Sequence, residues 1–293
     1  MKIEKPKKSD YRQRAHVNPL SDTSAIQYPI TPYHVDWSVF YPLLFPGSDP
    51  TQLYLNTSTY PISFPTEPVH SSRLAFPVFL DIGCGFGGLT VSLARQFPDK
   101  KILALEIREK VSNYVGERIR ALRAGAQDVA EPVDESSIKQ LAEEVTLQPI
   151  VRSTLPSGES FSPYDRIAVL RSNAMKSIPN FIPKASCEKL FFCFPDPHFK
   201  RNNWRRRIVN DSLISTWAYV MKPGAKLYFV TDVIELFDWM DGVLTRADVL
   251  FDRVADATQE NDPCVRTICN DTEEGKKVKR GGHPCYFSVF VRR

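Results

Sequence analysis

The stretch that most constrains this chain is VFLDIGCGFGGLTVSLARQFPDKKILALEIR, Val78 to Arg108. A short apolar run, Val78 to Ile82, carries one carboxylate at Asp81, and Gly83, Gly85, Gly87 and Gly88 follow. Leu89, Val91, Leu93 and Ala94 then mark the buried side of a helix, and Lys101–Leu105 reads as a second strand with Glu106 just past its tip. Strand, glycine turn, helix and strand make a βαβ unit with a nucleotide-sized crevice above the first turn.

Glycines in that turn let a ligand lie against bare backbone at a helix N-terminus. Gly83, Gly85 and Gly88 also satisfy the G-x-G-x-x-G fingerprint of dinucleotide sites, and Glu106 lies in the right region to hold ribose hydroxyls. The carboxylate of Asp81 weighs against a dinucleotide, because it would repel a pyrophosphate. S-adenosylmethionine has no phosphate, and its sulfonium and ammonium favour negative neighbours. The turn is therefore read as a site for that donor, with a dinucleotide as the rival ligand.

At 293 residues the chain holds one large α/β domain with extensions, or two small domains. A net charge of +4 decides little until the charges are located. No window approaches ~18 uninterrupted apolar residues, so a spanning helix is not expected. The N-terminus, MKIEKPKKSDYRQR, lacks the apolar core of a secretory signal. The six cysteines form no C-x-x-C pair and read as reduced thiols, not as zinc ligands or disulfides.

Residues 1–77 hold 11 of the 23 prolines and read as a basic, Pro-rich arm, flexible at its tip. Tyr28, Tyr33, Trp37, Phe40, Tyr41 and Phe45 predict that the rest of the arm lies on the domain, since disordered segments are poor in aromatics. The domain itself is placed at 78–293, with a polar insertion at about 124–164 that includes a helix around Ser137–Val145. Helical spacing covers Lys110–Arg123, and Arg166–Leu170 reads as a third strand. Leu190–Phe194 reads as a central strand covered on both faces. A helix at about Asn210–Met221, a turn at Lys222-Pro223-Gly224 and a strand Lys226–Thr231 follow. Another helix covers Val233–Arg246. Phe251–Ala255 and Tyr286–Val291 supply a late hairpin-like pair. The alternation predicts a mostly parallel, doubly wound sheet.

The second informative stretch is FFCFPDPHFKRNNWRRR, Phe191–Arg207. Asp196 stands at the end of the central strand, where ligands of open α/β sheets bind. Pro195 and Pro197 restrict the backbone on both sides of it. Lys200, Arg201, Arg205, Arg206 and Arg207 put five cations within eight residues, with Trp204 among them. Such a run suits a phosphate backbone, and the aromatics could stack a base. The plainer readings are a turn-capping Asp196 and a solvated charged face. His198 lacks a partner cluster for a metal, and no metal site is expected. The segment NDTEEGKKVK, Asn270–Lys279, reads as a helix capped by Asp271 or Thr272, with Glu273 and Glu274 in its first turn.

In order, DIGCGFGG, LALEIR, RSNAMK, FPDPHFKRNNWR and DTEEGKK resemble the tRNA (guanine-N7-)methyltransferase family, and more narrowly its eukaryotic catalytic subunit, which shares a YRQRAH element like Tyr11–His16 here. The similarity runs from Tyr11 to the C-terminus; departures lie in Thr51–His70, in 124–164 and in GGHPCYF near the end. The resemblance implies a class I S-adenosylmethionine-dependent, Rossmann-like fold with a late antiparallel strand, and methyl transfer to N7 of a guanine in the tRNA variable loop. It implies Gly83, Glu106, Ile107, Arg108, Asn173, Ala174, Cys193, Thr272 and Glu274 as donor-binding residues and Asp196 as the catalytic residue. Lys200, Arg201, Arg205, Arg206, Arg207, Lys276 and Lys277 are the expected RNA contacts. A non-catalytic WD-repeat partner and a nuclear location are further implications; no membrane attachment is expected. The alternatives are a non-catalytic RNA-binding scaffold on the same fold, and a dinucleotide oxidoreductase, for which no hydride-site residue is apparent.

Overall fold

A computed structural model of the chain describes residues 5–11, 13, 17–21, 26–45, 63–128, 153–154 and 160–293. Seven strands form its main sheet: β1 (Phe79–Ile82), β2 (Ile102–Glu106), β3 (Ile167–Arg171), β4 (Cys187–Cys193), β5 (Met221–Thr231), β6 (Phe251–Arg253) and β7 (Tyr286–Arg292). Their order is β3-β2-β1-β4-β5-β7-β6. The first five run parallel, and β7 lies antiparallel between β5 and β6. This is the strand order of the class I methyltransferase fold. β1 and β2 are buried along their whole length and β4 from Leu190 to Phe192, because helices cover both faces; Asp81 in β1 and Glu106 at the end of β2 are the polar exceptions.

The helices are α1 (Gly88–Gln96), α2 (Glu109–Arg123), α3 (Ala174–Phe181), α4 (Ile214–Val220), α5 (Ile234–Arg246), α6 (Asp256–Asn261), α7 (Pro263–Asn270) and α8 (Glu273–Arg280). The chain leaves β1 toward β2 and β3 but leaves β4 toward β5. The loops after β1 and β4 therefore open side by side at the carboxyl edge, with Ile82 in register with Phe192. That switch point is where an open α/β sheet has room for a ligand.

Three local expectations are corrected. The helix expected from Asn210 begins at Ile214, because the Asn210 side-chain oxygen accepts the N–H groups of Ser212 and Leu213 and holds a turn there. Lys222-Pro223-Gly224 does not end an element; it lies inside β5 as an irregularity, with Gly224 at φ +79° and the register jumping from Cys187↔Met221 to Lys189↔Lys226. The last two strands do pair, but α6, α7 and α8 separate them in sequence, so they are no hairpin. The helix expected around Ser137–Val145 lies outside the described residues.

Four of the six arm aromatics enter the common core: Trp37, Phe40, Tyr41 and Phe45 are buried, whereas Tyr28 and Tyr33 stay exposed. The Tyr41 hydroxyl donates to the carbonyl of Ile102 at 3.0 Å, and Arg123 donates to that of Phe40 at 2.7 Å, fastening this segment to β2 and α2. Among the described residues no helix is long and apolar enough to cross a membrane.

Candidate active site

The glycine turn bends as the sequence predicts. Gly83 and Gly85 have φ of +74° and +54°, in the region that favours glycine, and the Gly83 N–H is anchored on the carbonyl of Leu105 at 2.8 Å. A Cβ placed on Gly83 would meet no protein atom within 4 Å, so the bare backbone faces open space. Glu106, at the end of β2, is buried beneath the turn. Its carboxylate accepts the Gly85 N–H at 3.1 Å, the Arg108 N–H at 2.9 Å and the Arg108 guanidinium at 3.1 and 2.8 Å.

Asp81 lies one step below, wholly inside the protein. Burial pushes its carboxyl up to about 7; the Thr90 hydroxyl, donating at 2.7 Å, pulls the other way, and the charges of Glu273 and Glu106 push it further up.

The second wall comes from the loop after β4. Phe194 and His198 both have left-handed backbones, φ +48° and +44°, on either side of Pro195-Asp196-Pro197. Left-handed non-glycine residues cost about 1 kcal/mol or more each and persist where the surroundings impose them. Here the Phe194 N–H is tied to Val230 O at 2.8 Å, and Pro197 O accepts Arg207 Nε–H at 2.9 Å. Burial works against the charge of Arg108, but its bond to Glu106 and the nearby charges of Glu106 and Asp196 raise its pKa overall. The two loops therefore share one electrostatic site.

A third wall is the start of α8. Thr272 caps it, its hydroxyl accepting the Gly275 N–H at 2.9 Å. Glu273 reaches across to the Gly88 N–H at 3.2 Å and to Arg118 at 3.2 Å. Between these walls lies a cavity of about 550 Å³. It brings together Gly83, Glu106, Ile107, Arg108, Asn173, Ala174, Cys193, Thr272, Glu274 and Asp196, all ten residues expected for donor and catalysis.

The family model described as a putative methyltransferase matches residues 75–288. A tRNA (guanine-N(7)-)-methyltransferase of Kluyveromyces lactis is 40% identical over 291 residues, covering 99% of this chain and 85% of that one. Those of Homo sapiens and Mus musculus are 40% and 41% identical over 287 residues, covering 98% of this chain and 88% and 91% of theirs. The chain belongs to the tRNA (guanine-N(7)-)-methyltransferase family.

The cavity's charge bears on which donor this family member holds. Asp81, Glu106, Asp196, Asp232, Glu273 and Glu274 line it, against the two guanidiniums of Arg108 and Arg206, although the whole chain carries +4. Even without Asp81, whose carboxyl burial pushes up to about 7, five acids to two bases would repel a pyrophosphate and attract a sulfonium and an ammonium. Together with the open space over Gly83, this donor set fits S-adenosylmethionine.

The expected RNA contacts divide. Lys200 is exposed at the head of a 3-10 turn, Arg201–Arg206, Arg201 and Arg205 are exposed on it, and Lys276 and Lys277 are exposed on α8. Arg206 is half-buried and lines the cavity. Arg207 is not on the surface: it is 5% exposed, packed against Trp204 and Trp239.

The sequence reading missed Val17, Pro19, His198 and Asp232 as cavity walls. The arm reaches the site, with Asn173 Nδ2 donating to Pro19 O at 2.6 Å. Asp232 directly follows the last residue of β5, so the strand-end rule that singles out Asp196 applies to it equally.

Gly275 provides a stability test of the third wall. A Cβ there would sit 2.2 Å from the Cys269 carbonyl and 2.7 Å from the Thr272 hydroxyl, and a backbone carbonyl cannot step aside. Gly275→Ala is expected to lose about 3 kcal/mol, toward the upper end of overpacking costs. By calorimetry that is a fall in Tm of roughly 6 °C or more. An unchanged Tm would show that the α7–α8 corner opens freely.

Proposed function

We propose that this chain transfers the methyl group of S-adenosylmethionine to N7 of a guanine in the variable loop of tRNA, giving 7-methylguanosine. The observation that carries the reading is the meeting of two loops distant in sequence, Gly83–Gly88 and Phe194–His198, over one acid-lined cavity.

The bound donor supplies an electrophilic methyl on a sulfonium. Gly83 gives it bare backbone, and the carboxylate of Glu106 suits ribose hydroxyls, which would share it with Arg108. Ile107, Arg108, Asn173 and Ala174 would border the adenine, Cys193 would lie beneath the donor, and Thr272 and Glu274 would close over it. Guanine N7 carries a free lone pair and loses no proton on methylation, so no strong general base is needed. The ring gains positive charge as the methyl arrives. Asp196 accepts hydrogen bonds from guanine N1–H and the N2 amino group, which selects guanine and stabilises that charge. Holding N7, methyl and sulfur in line accounts for much of the remaining acceleration. Lys200, Arg201, Arg205, Lys276 and Lys277 take the phosphate backbone, with Arg206 at the lip of the cavity.

The same reading makes the chain the catalytic member of a heterodimer with a non-catalytic WD-repeat subunit, acting in the nucleus; the YRQRAH resemblance in the arm supports it. The test is incubation with labelled S-adenosylmethionine and bulk tRNA, with and without a WD-repeat partner, followed by mapping of the modified nucleoside. Label in 7-methylguanosine of the variable loop is the expected result. Donor binding without transfer, in the partner's presence, would favour the scaffold alternative.

A further inference from the structure

The last cation of the basic run is turned inward. Arg207 closes the 3-10 turn Arg201–Arg206, its backbone N–H donating to Trp204 O at 3.0 Å. Its guanidinium lies 4.9 Å from the Trp204 ring and 4.8 Å from the Trp239 ring, in the notch between two indoles tilted 55° to each other. Its Nε–H donates to the carbonyl of Pro197 at 2.9 Å. Among the described residues no carboxylate pairs with it. The notch is itself secured: Trp239 Nε1–H donates to Val209 O at 2.9 Å, and Asn210 Nδ2 donates to Arg207 O at 2.7 Å.

A cation so enclosed has little surface to offer a phosphate. A planar guanidinium against aromatic faces, with one aimed bond to a carbonyl, is instead suited to restraining a loop. The carbonyl it holds belongs to the residue between Asp196 and His198. That loop contains the two left-handed residues, Phe194 and His198, which need restraint from outside to persist. Its other end is tied at Phe194 to β5.

We infer that Arg207 is a positioning residue for methyl transfer: through Pro197 it fixes the loop so that the Asp196 carboxylate faces the guanine. This rests on the reading of Asp196 given above. Arg207 touches neither donor nor base, and its effect passes through Asp196 alone.

The test is a double-mutant cycle with the full-length protein and tRNA. Arg207→Lys and Arg207→Met are made alone and combined with Asp196→Asn, with Tm and S-adenosylmethionine affinity measured to verify folding. Arg207→Lys alone is expected to lower kcat about tenfold, the scale of a small misplacement of a reacting group. KM for tRNA and donor affinity should change less than about twofold, because the phosphate contacts that supply most tRNA affinity and the donor's walls are untouched. In the Asp196→Asn background the same substitution should cost less than about twofold, since the carboxylate it would position is gone. The Met variant should behave likewise and more severely. A raised KM with unchanged kcat would overturn the inference in favour of a phosphate contact. An equal loss of kcat in the Asp196→Asn background would overturn it in favour of a general structural role. If the parent transfers nothing to tRNA, the proposed function fails and this inference with it; if the parent is active and either overturning pattern appears, this inference fails alone.

Discussion

Asp196→Ala is expected to bind S-adenosylmethionine as tightly as the parent protein and to turn over roughly 10²–10³-fold more slowly, the usual scale for losing one group aimed at developing charge. Asp196 lines the cavity from the loop after β4, whereas the donor-facing backbone comes from the glycine turn after β1. Removing the carboxylate therefore leaves the donor's walls standing. What disappears is the acceptor for the guanine edge and the negative charge beside a ring becoming cationic. Calorimetric titration measures the first half of this expectation and single-turnover transfer to tRNA the second. Near-parental transfer would remove Asp196 from the mechanism. A lost donor affinity would show that the loop holds the donor and not the base.

The second large effect is a pH dependence of donor affinity. The Asp81 carboxyl is pushed up to about 7, chiefly by burial, and a cationic ligand is stabilised only by its ionised form. Above that value the affinity should be flat. Below it one proton must leave for each donor bound, so Kd should rise about tenfold per pH unit. Calorimetry from pH 8 down to about 5.5 reads this directly, and Asp81→Asn should be weak and flat over the whole range. The apo protein should show the linked stability effect. Because the folded value lies above the ordinary 3.8, folding takes up a proton between about pH 4 and 7. Stability contributed by Asp81 is then present at the acid end and lost as pH rises through that window. Donor affinity that is constant between pH 8 and 5.5 would show Asp81 to be a structural acid, satisfied by Thr90.

The parts of this architecture that were legible in the sequence are those whose cause is local. The βαβ unit follows from glycine conformations and an apolar run, both contained in Val78–Arg108. Asp196 follows from its place at a strand end between two prolines. Where the cause is long-range, the reading fails. Lys222-Pro223-Gly224 carries every local mark of a turn, yet pairing with β4 at Met221 before it and at Lys226 after it carries β5 through it. Arg207 is indistinguishable from Arg205 by composition; what buries it is Trp239, supplied by α5. Cavity-lining Val17 and Pro19 had no signal, because their role depends on where an irregular arm crosses the domain. Asp232 did have one, the same strand-end position as Asp196, and lacked only the flanking prolines that drew attention there.

The strand β7 enters between two neighbours made long before it, with Lys226 aligned to Val291 and Phe251 to Arg292. During synthesis β5 must therefore wait, one margin of its backbone unpaired, until Tyr286–Arg292 has left the ribosome. An unpaired strand margin is the usual starting point for association between nascent chains. Deletion of Tyr286–Arg292 should therefore reduce the yield of soluble protein far more than the few side chains removed would suggest.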